Sequence, residues 1–211
     1  MLHIITPLYR FENLERIYNS IFMDEDITWH ISKSNIREEP NFEFIKTDKR
    51  VKIYNVDCLD EEAFKKRQHV LEKIDSGYFC FLDDDTLFHE NMYVKYKECL
   101  ENNFIGMVVG QQVMGDGYIR LTPSVPIYQH IDVGNVLSHT SCLNQCKWPS
   151  THIPSVNQKD FLFWESVYYF YNKKCELWES PISYYNKLNP NNPKQKNKLF
   201  IIKKPYLKIN K

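Results

Sequence analysis

Nine residues, Tyr78-Phe79-Cys80-Phe81-Leu82-Asp83-Asp84-Asp85-Thr86, constrain this chain more than any other stretch. Apolar and aromatic side chains follow one another without alternation. That pattern predicts a strand buried on both faces, as in a parallel sheet covered by helices. Three carboxylates then follow with no spacer. At the mouth of a buried strand they repel one another and each loses hydration. Protonation, bonds to nearby amides or a shared hard divalent cation would relieve this. Oxygen ligands of this kind suit Mg²⁺ or Mn²⁺, ions commonly shared between carboxylates and substrate phosphates. Ligands of open α/β sheets bind beyond the carboxyl ends of strands, where these residues fall. A polar turn capping the next helix accounts for one Asp comfortably and for a second with effort.

The flanking sequence predicts the rest of such a sheet. Residues 2–7 read as a strand stopped by Pro7. Leu14, Ile17, Tyr18, Ile21 and Phe22 recur at helical spacing, giving a helix over 12–22. Residues 27–32 read as a strand with Trp29 and Ile31 on one face. The polar, Pro-containing stretch 34–49 reads as a loop, and 51–56 as a third strand. Asp60 is a candidate N-cap for a helix reaching Ile74, with Gly77 ending it. Strand, helix, strand, strand, helix, strand is how an α/β sheet with right-handed crossovers begins. Further on, 91–102 reads as a helix and 104–110 as a buried strand. Gly115-Asp116-Gly117 turns that strand into an antiparallel extension over 118–122. Asp132 and Gly134 sit in an apolar setting over 131–137. A loop-rich stretch with Trp148, Pro149, His152 and Pro154 leads to an aromatic helix over 160–171. Asn189-Pro190-Asn191-Asn192-Pro193 reads as a turn-forming linker into a Lys-rich last strand or arm. One domain over 1–188 is expected, with an extension or linker over 189–211.

A length of 211 residues suits one domain with a substantial core. The formal net charge is zero, so no global field recruits nucleic acid or an anionic membrane. The six cysteines form no CxxC pair, and buried reduced thiols in a cytoplasmic protein are expected. Cys142-x3-Cys146 with His139 nearby offers half a zinc site and no second half. No apolar run is long enough to span a bilayer, and the opening apolar stretch stops at Thr6-Pro7, unlike a secretory leader.

Thr6-Pro7-Leu8-Tyr9-Arg10 after the first strand, Phe64-Lys65-Lys66-Arg67 on a helix, and Phe81-Leu82-Asp83-Asp84-Asp85 together resemble a small glycosyltransferase of the GT-A type. Asp160-Phe161-Leu162-Phe163 and Tyr184-Tyr185-Asn186-Lys187-Leu188 are similar to the distal half of short glycosyltransferases of bacteria and of large DNA viruses such as those of chlorella. The resemblance covers roughly residues 2–188. It implies a mixed, mainly parallel α/β sheet flanked by helices, with a donor half over about 1–112 and an acceptor half over about 113–188. It also implies a DxD motif, a nucleotide-sugar donor such as a UDP-sugar, Mn²⁺ or Mg²⁺, and a glycan or small-molecule acceptor.

On that resemblance Asp85 holds the cation and Asp83 faces the ribose or assists the metal. Asp84 reaches the metal or the donor sugar. Thr6, Pro7, Tyr9 and Arg10 line the donor site, with Tyr9 stacking on the base and Arg10 reaching the base or a phosphate. Arg67 points at the donor, where otherwise it would be a solvated helix charge beside Lys65 and Lys66. If the enzyme inverts the anomeric centre, one carboxylate must accept the acceptor's proton. Asp160 ranks first for that role, Asp132 second and Glu165 third. Asp160 is expected to open its helix, where the dipole favours ionisation. Two other readings compete. A haloacid-dehalogenase-type phosphatase also places an apolar strand before Asp-x-Asp, but needs a residue between its second Asp and the Thr, and Thr86 directly follows Asp85. The other is a non-catalytic subunit that binds nucleotide-sugar or glycan.

Overall fold

The computed structural model describes residues 1–21, 24–38, 41–149 and 156–188, the side chains of 156 and 157 excepted. The linker and extension expected over 189–211, the helix end at Phe22, and His152 and Pro154 of the loop before the last helix lie outside the described residues.

β1 (Leu2–Pro7) leads through a 3-10 turn into α1 (Leu14–Ser20), then β2 (Ile27–Ser34), a short α2 (Glu43–Thr47), β3 (Val51–Val56), α3 (Ala63–Leu71) and β4 (Tyr78–Phe81). The second half runs β5 (Leu87–Phe88), α4 (Glu90–Glu101), β6 (Met107–Met114), β7 (Ile119–Leu121), β8 (Val136–His139), α5 (Val156–Phe170) and β9 (Cys175–Tyr185). One mixed sheet results, in the order β3-β2-β1-β4-β8-β6-β9-β5, with β7 added to β6. The first four of these strands are mutually parallel.

Both β1 and β4 are buried along their whole length, as unalternating apolar runs require. Their successive side chains serve opposite layers. Leu2, Ile4, Tyr78 and Cys80 pack with Leu14, Ile17, Met92 and Tyr96 on one face. Ile5, Phe79 and Phe81 pack with Val70, Leu71, Phe163 and Trp164 on the other. Ile5 is level with Phe81, and the Leu82 N–H bonds the Ile5 carbonyl at 2.9 Å. Pro7 and Asp83 therefore leave the sheet side by side.

Several elements depart from expectation. The stretch read as a loop over 34–49 contains α2, because Phe44 stacks on Tyr18 with centroids 4.2 Å apart and holds the short helix against the core. α3 spans Ala63–Leu71 with Glu62 at its N-cap. Asp60 instead accepts from Arg37 at 2.5 Å. β8 and the 3-10 turn before it lie within a segment that sequence left unassigned. β9 is an eleven-residue strand where only its last residues drew notice. Pro181 removes a ladder donor, and the pairing with β6 shifts register at Gly110/Gln111 to accommodate it. α5 starts at Val156, so Asp160 lies inside the helix and does not open it. No described helix is long and apolar enough to cross a membrane.

Candidate functional site

The three adjacent carboxylates have three different surroundings. Asp84 turns away from solvent and back onto the loop after β1. Its Oδ2 accepts the backbone N–H groups of Tyr9 and Arg10 at 2.5 and 2.6 Å. Its Oδ1 accepts from the Arg10 guanidinium at 2.6 Å, and its carbonyl accepts from the Asn13 amide at 2.8 Å. This carboxylate clamps the end of β1 to the end of β4.

Asp85 is also buried, but faces the site. Arg10 Nη1 approaches its Oδ2 at 3.1 Å. Asn186, at the exit of β9, sets its side-chain amide against Asp85; with the amide nitrogen turned to that side it donates to both carboxylate oxygens at 3.2 and 3.1 Å, and its oxygen accepts from the Tyr185 hydroxyl at 3.2 Å. The Leu188 N–H bonds the Asp85 carbonyl at 2.8 Å, so the chain leaving β9 closes over the acidic tip. Burial, with the neighbouring Asp83 and Asp84 charges, pushes the Asp85 carboxyl up to about 6. Arg10 opposes that rise. A cation beside this group would relieve the crowding.

Asp83 is the most exposed of the three, its side chain one-third accessible. Its Oδ1 takes a 2.5 Å bond from Arg67 Nη2. Arg67, expected to point at the donor, is no solvated helix charge: it is buried from α3 against the rings of Phe81 and Trp148, 5.6 and 5.3 Å from its guanidinium carbon. Its Nη1 lies 3.5 Å from Asp160 Oδ1. Lys66 is buried as well. It donates to the carbonyls of Leu8 and Asp60 at 2.9 and 2.8 Å and so holds the β1 loop from below. Burial lowers its pKa. Nothing in the Lys65-Lys66-Arg67 run announces this; only the packing of α3 across β1 turns two of the three inward.

Asp160 meets this cluster from α5, in the second turn. Burial pushes its carboxyl up to about 7, against the pull of Arg67 and with help from the Asp132 and Asp83 charges. The helix begins four residues earlier, so Asp160 lacks the helix-start position expected to favour ionisation, and desolvation by burial dominates. Asp132 is committed elsewhere. It caps the 3-10 turn through the Gly134 N–H at 3.0 Å and pairs with Arg120 at 2.8 Å, whose guanidinium stacks 3.6 Å from the Tyr185 ring centroid. Glu165 is half-buried, five residues past Asp160 and so about 140° around α5.

On the donor side, Thr6 is buried and accepts from the Trp29 indole at 2.9 Å, while Pro7 ends β1. Tyr9 is half-exposed. The guanidinium of Arg37, which sequence did not single out, lies 5.3 Å from its ring centroid, and that of Arg10 lies 5.7 Å away. The ends of β1 and β4, α3, α5 and the exit of β9 thus converge on Asp83, Asp85, Arg67 and Asp160. All six thiols are unpaired, and among the described residues no three His, Cys, Asp or Glu side chains group as a ready-made metal-ligand set.

No family sequence model matches this chain, and no curated protein does. Solved structures do. Residues 1–349 of S. aureus TarS superpose with a TM-score of 0.67 at 14% identity, covering 87% of this chain and 59% of that one. The fold is GT-A-like. The same TarS segment in complex with UDP-GlcNAc gives a TM-score of 0.66 at 14% identity, over 87% of this chain and 57% of that one. Its complex with UDP gives 0.65 at 13% identity, over 87% and 59%. This chain therefore spans less than two thirds of the TarS segment it matches.

A divalent cation at the acidic tip would draw on Asp85, whose oxygens now face Arg10 and the Asn186 amide and would have to exchange those partners for the metal. Burial and the adjacent carboxylates hinder its ionisation, and Asp84 is already spent on the Tyr9–Arg10 loop. One or two carboxylates completed by phosphate oxygens and water is the coordination Mg²⁺ favours.

Proposed function

We propose that this protein is a glycosyltransferase that moves a sugar from a nucleotide-sugar, a UDP-sugar in particular, to a hydroxyl of a glycan or small acceptor. The observation that carries the reading is the meeting of Asp83, Asp85, Arg67 and Asp160 at the carboxyl ends of β1 and β4. They meet on a fold shared with a protein solved in complex with UDP-GlcNAc. In this reading Tyr9 stacks on the base, and Asp83 accepts hydrogen bonds from ribose hydroxyls. Arg10 faces the diphosphate beside Asp85. Asp85, assisted by Asp83, would hold Mn²⁺ or Mg²⁺, and the cation would supply positive charge against the charge gathering on the departing diphosphate.

Asp160 is the base. It takes the proton from the acceptor hydroxyl as that oxygen bonds the anomeric carbon and the bond to the nucleoside diphosphate breaks. A carboxyl near 7 is suited to this at neutral pH, being partly ionised and still basic enough to hold the proton. Asp132 is the weaker candidate because Arg120 and the 3-10 cap already occupy its oxygens.

Mn²⁺ and UDP together are expected to raise the melting temperature more than the two separate shifts summed. Asp85→Asn should keep the fold and abolish that extra increment. Release of UDP from UDP-GlcNAc and other UDP-sugars, followed with Mn²⁺, tests turnover. Binding without UDP release from any donor would make the protein a nucleotide-sugar-binding subunit. Hydrolysis of p-nitrophenyl phosphate without UDP binding would return the reading to a phosphatase.

A further inference from the structure

Arg67 is shared unequally by two carboxylates that the proposed reaction uses at different moments. Its bond to Asp83 is short, 2.5 Å, and its approach to Asp160 is long, 3.5 Å. The burial is the reverse. Asp83 is one-third exposed and Asp160 only 11% exposed at its side chain. The more deeply buried carboxylate thus has the poorer share of the cation. The charged groups facing Asp160 are Arg67 from α3, Asp83 beyond β4 and Asp132 before β8. Asp132 spends its charge on Arg120, so Arg67 is the cation available to Asp160. The guanidinium has room for exchange in its bonding too: its Nε is buried without a partner among the described residues.

We propose that donor binding hands Arg67 from Asp83 to Asp160, which makes Arg67 a positioning residue linking the two halves of the site. The inference rests on the donor site proposed above. Hydroxyl groups of a bound nucleotide satisfy Asp83 and loosen its hold on Nη2. A movement of under about 1 Å then turns the 3.5 Å approach into a charge-assisted bond. The base is thereby fixed in place only once the donor is seated. Before that, water meets no fully oriented base.

Such coupling is reciprocal. If donor binding strengthens the Arg67–Asp160 contact, removing the Asp160 charge must weaken donor binding, because Arg67 then stays with Asp83. Simple through-space electrostatics gives the opposite sign, since deleting a carboxylate near an anionic ligand helps that ligand.

Isothermal titration of the full chain with UDP in the presence of Mn²⁺ reads this sign directly. Asp160→Asn should raise the UDP Kd about fivefold, the lower end of ordinary coupling between sites. In an Arg67→Lys background, where the shared fork is lost, the same substitution should change Kd by less than about twofold. Should Arg67→Lys not fold, the sign of the Asp160→Asn effect alone decides. An unchanged or tighter Kd in Asp160→Asn overturns the hand-over while leaving the donor site standing. Absence of UDP binding by the unsubstituted protein overturns both.

Discussion

Replacing Asp160 by Asn lowers kcat by about 10²–10⁴-fold, the usual contribution of a general base, with the donor Kd moving only several-fold. Asn keeps the shape of the side chain and removes its ability to take a proton. Its effect therefore falls on the transition state and separates kcat from donor binding. The pH dependence gives a second reading of the same group. Ionised Asp160 is the active form, so kcat/KM of the unsubstituted protein should rise with pH through about 7 and flatten above it. Stability runs the other way. The folded-state pKa, about 7, lies above the unfolded value near ~3.9. This carboxyl's stabilising contribution is thus full at low pH and lost as pH rises towards about 7. Steady-state kinetics from pH 5 to 9 checks the activity arm. Turnover within about tenfold of normal in Asp160→Asn, with Asp132→Asn inactive, would move the base to Asp132.

Arg67→Met should cost about 3–5 kcal/mol of stability, the range for removing one partner from a buried charge cluster. The guanidinium is nearly inaccessible and faces Asp83 on one side and Asp160 on the other. Methionine fills much of the space against Phe81 and Trp148, so the loss comes from charge more than from packing. The double variant Arg67→Met, Asp160→Asn should then recover part of the stability, because the uncompensated buried carboxylate is gone. Urea denaturation of the single and double variants measures this as a cycle. Strictly additive losses would mean that Arg67 stabilises through packing alone.

The acidic tip and the sheet beneath it were legible because β1 and β4 carry apolar residues at every position, a pattern only burial on both faces tolerates. The division of labour among Asp83, Asp84 and Asp85 was not. Three identical letters in a row carry no information about which one turns back to the β1 loop, and only the level exit of Pro7 and Asp83 from the sheet decides it. The burial of Lys66 and Arg67 was hidden for a similar reason. A run of three cations on a helix looks solvated until the helix is laid across a neighbouring loop whose carbonyls need donors. β9 escaped notice because Glu176, Glu179 and Pro181 break the apolar pattern of a strand, yet a register shift beside β6 absorbs the proline. With β9 missed, Asn186 had no reason to be connected with Asp85 across a hundred residues of chain. Asp160 lies near Arg67 as part of the cluster, but its expected place at the start of the helix does not hold, since Asn157, Gln158 and Lys159 give no sign that the helix has already begun.

Paramagnetic broadening by Mn²⁺ locates the cation without relying on turnover. In two-dimensional amide spectra with saturating UDP, substoichiometric Mn²⁺ should broaden Tyr9, Arg10, the amides of Asp83 to Thr86 and Asn186 first. Asp85→Asn should remove that pattern. Broadening confined to other parts of the chain, or an unchanged pattern in Asp85→Asn, would contradict a nucleotide-sugar site at the acidic tip.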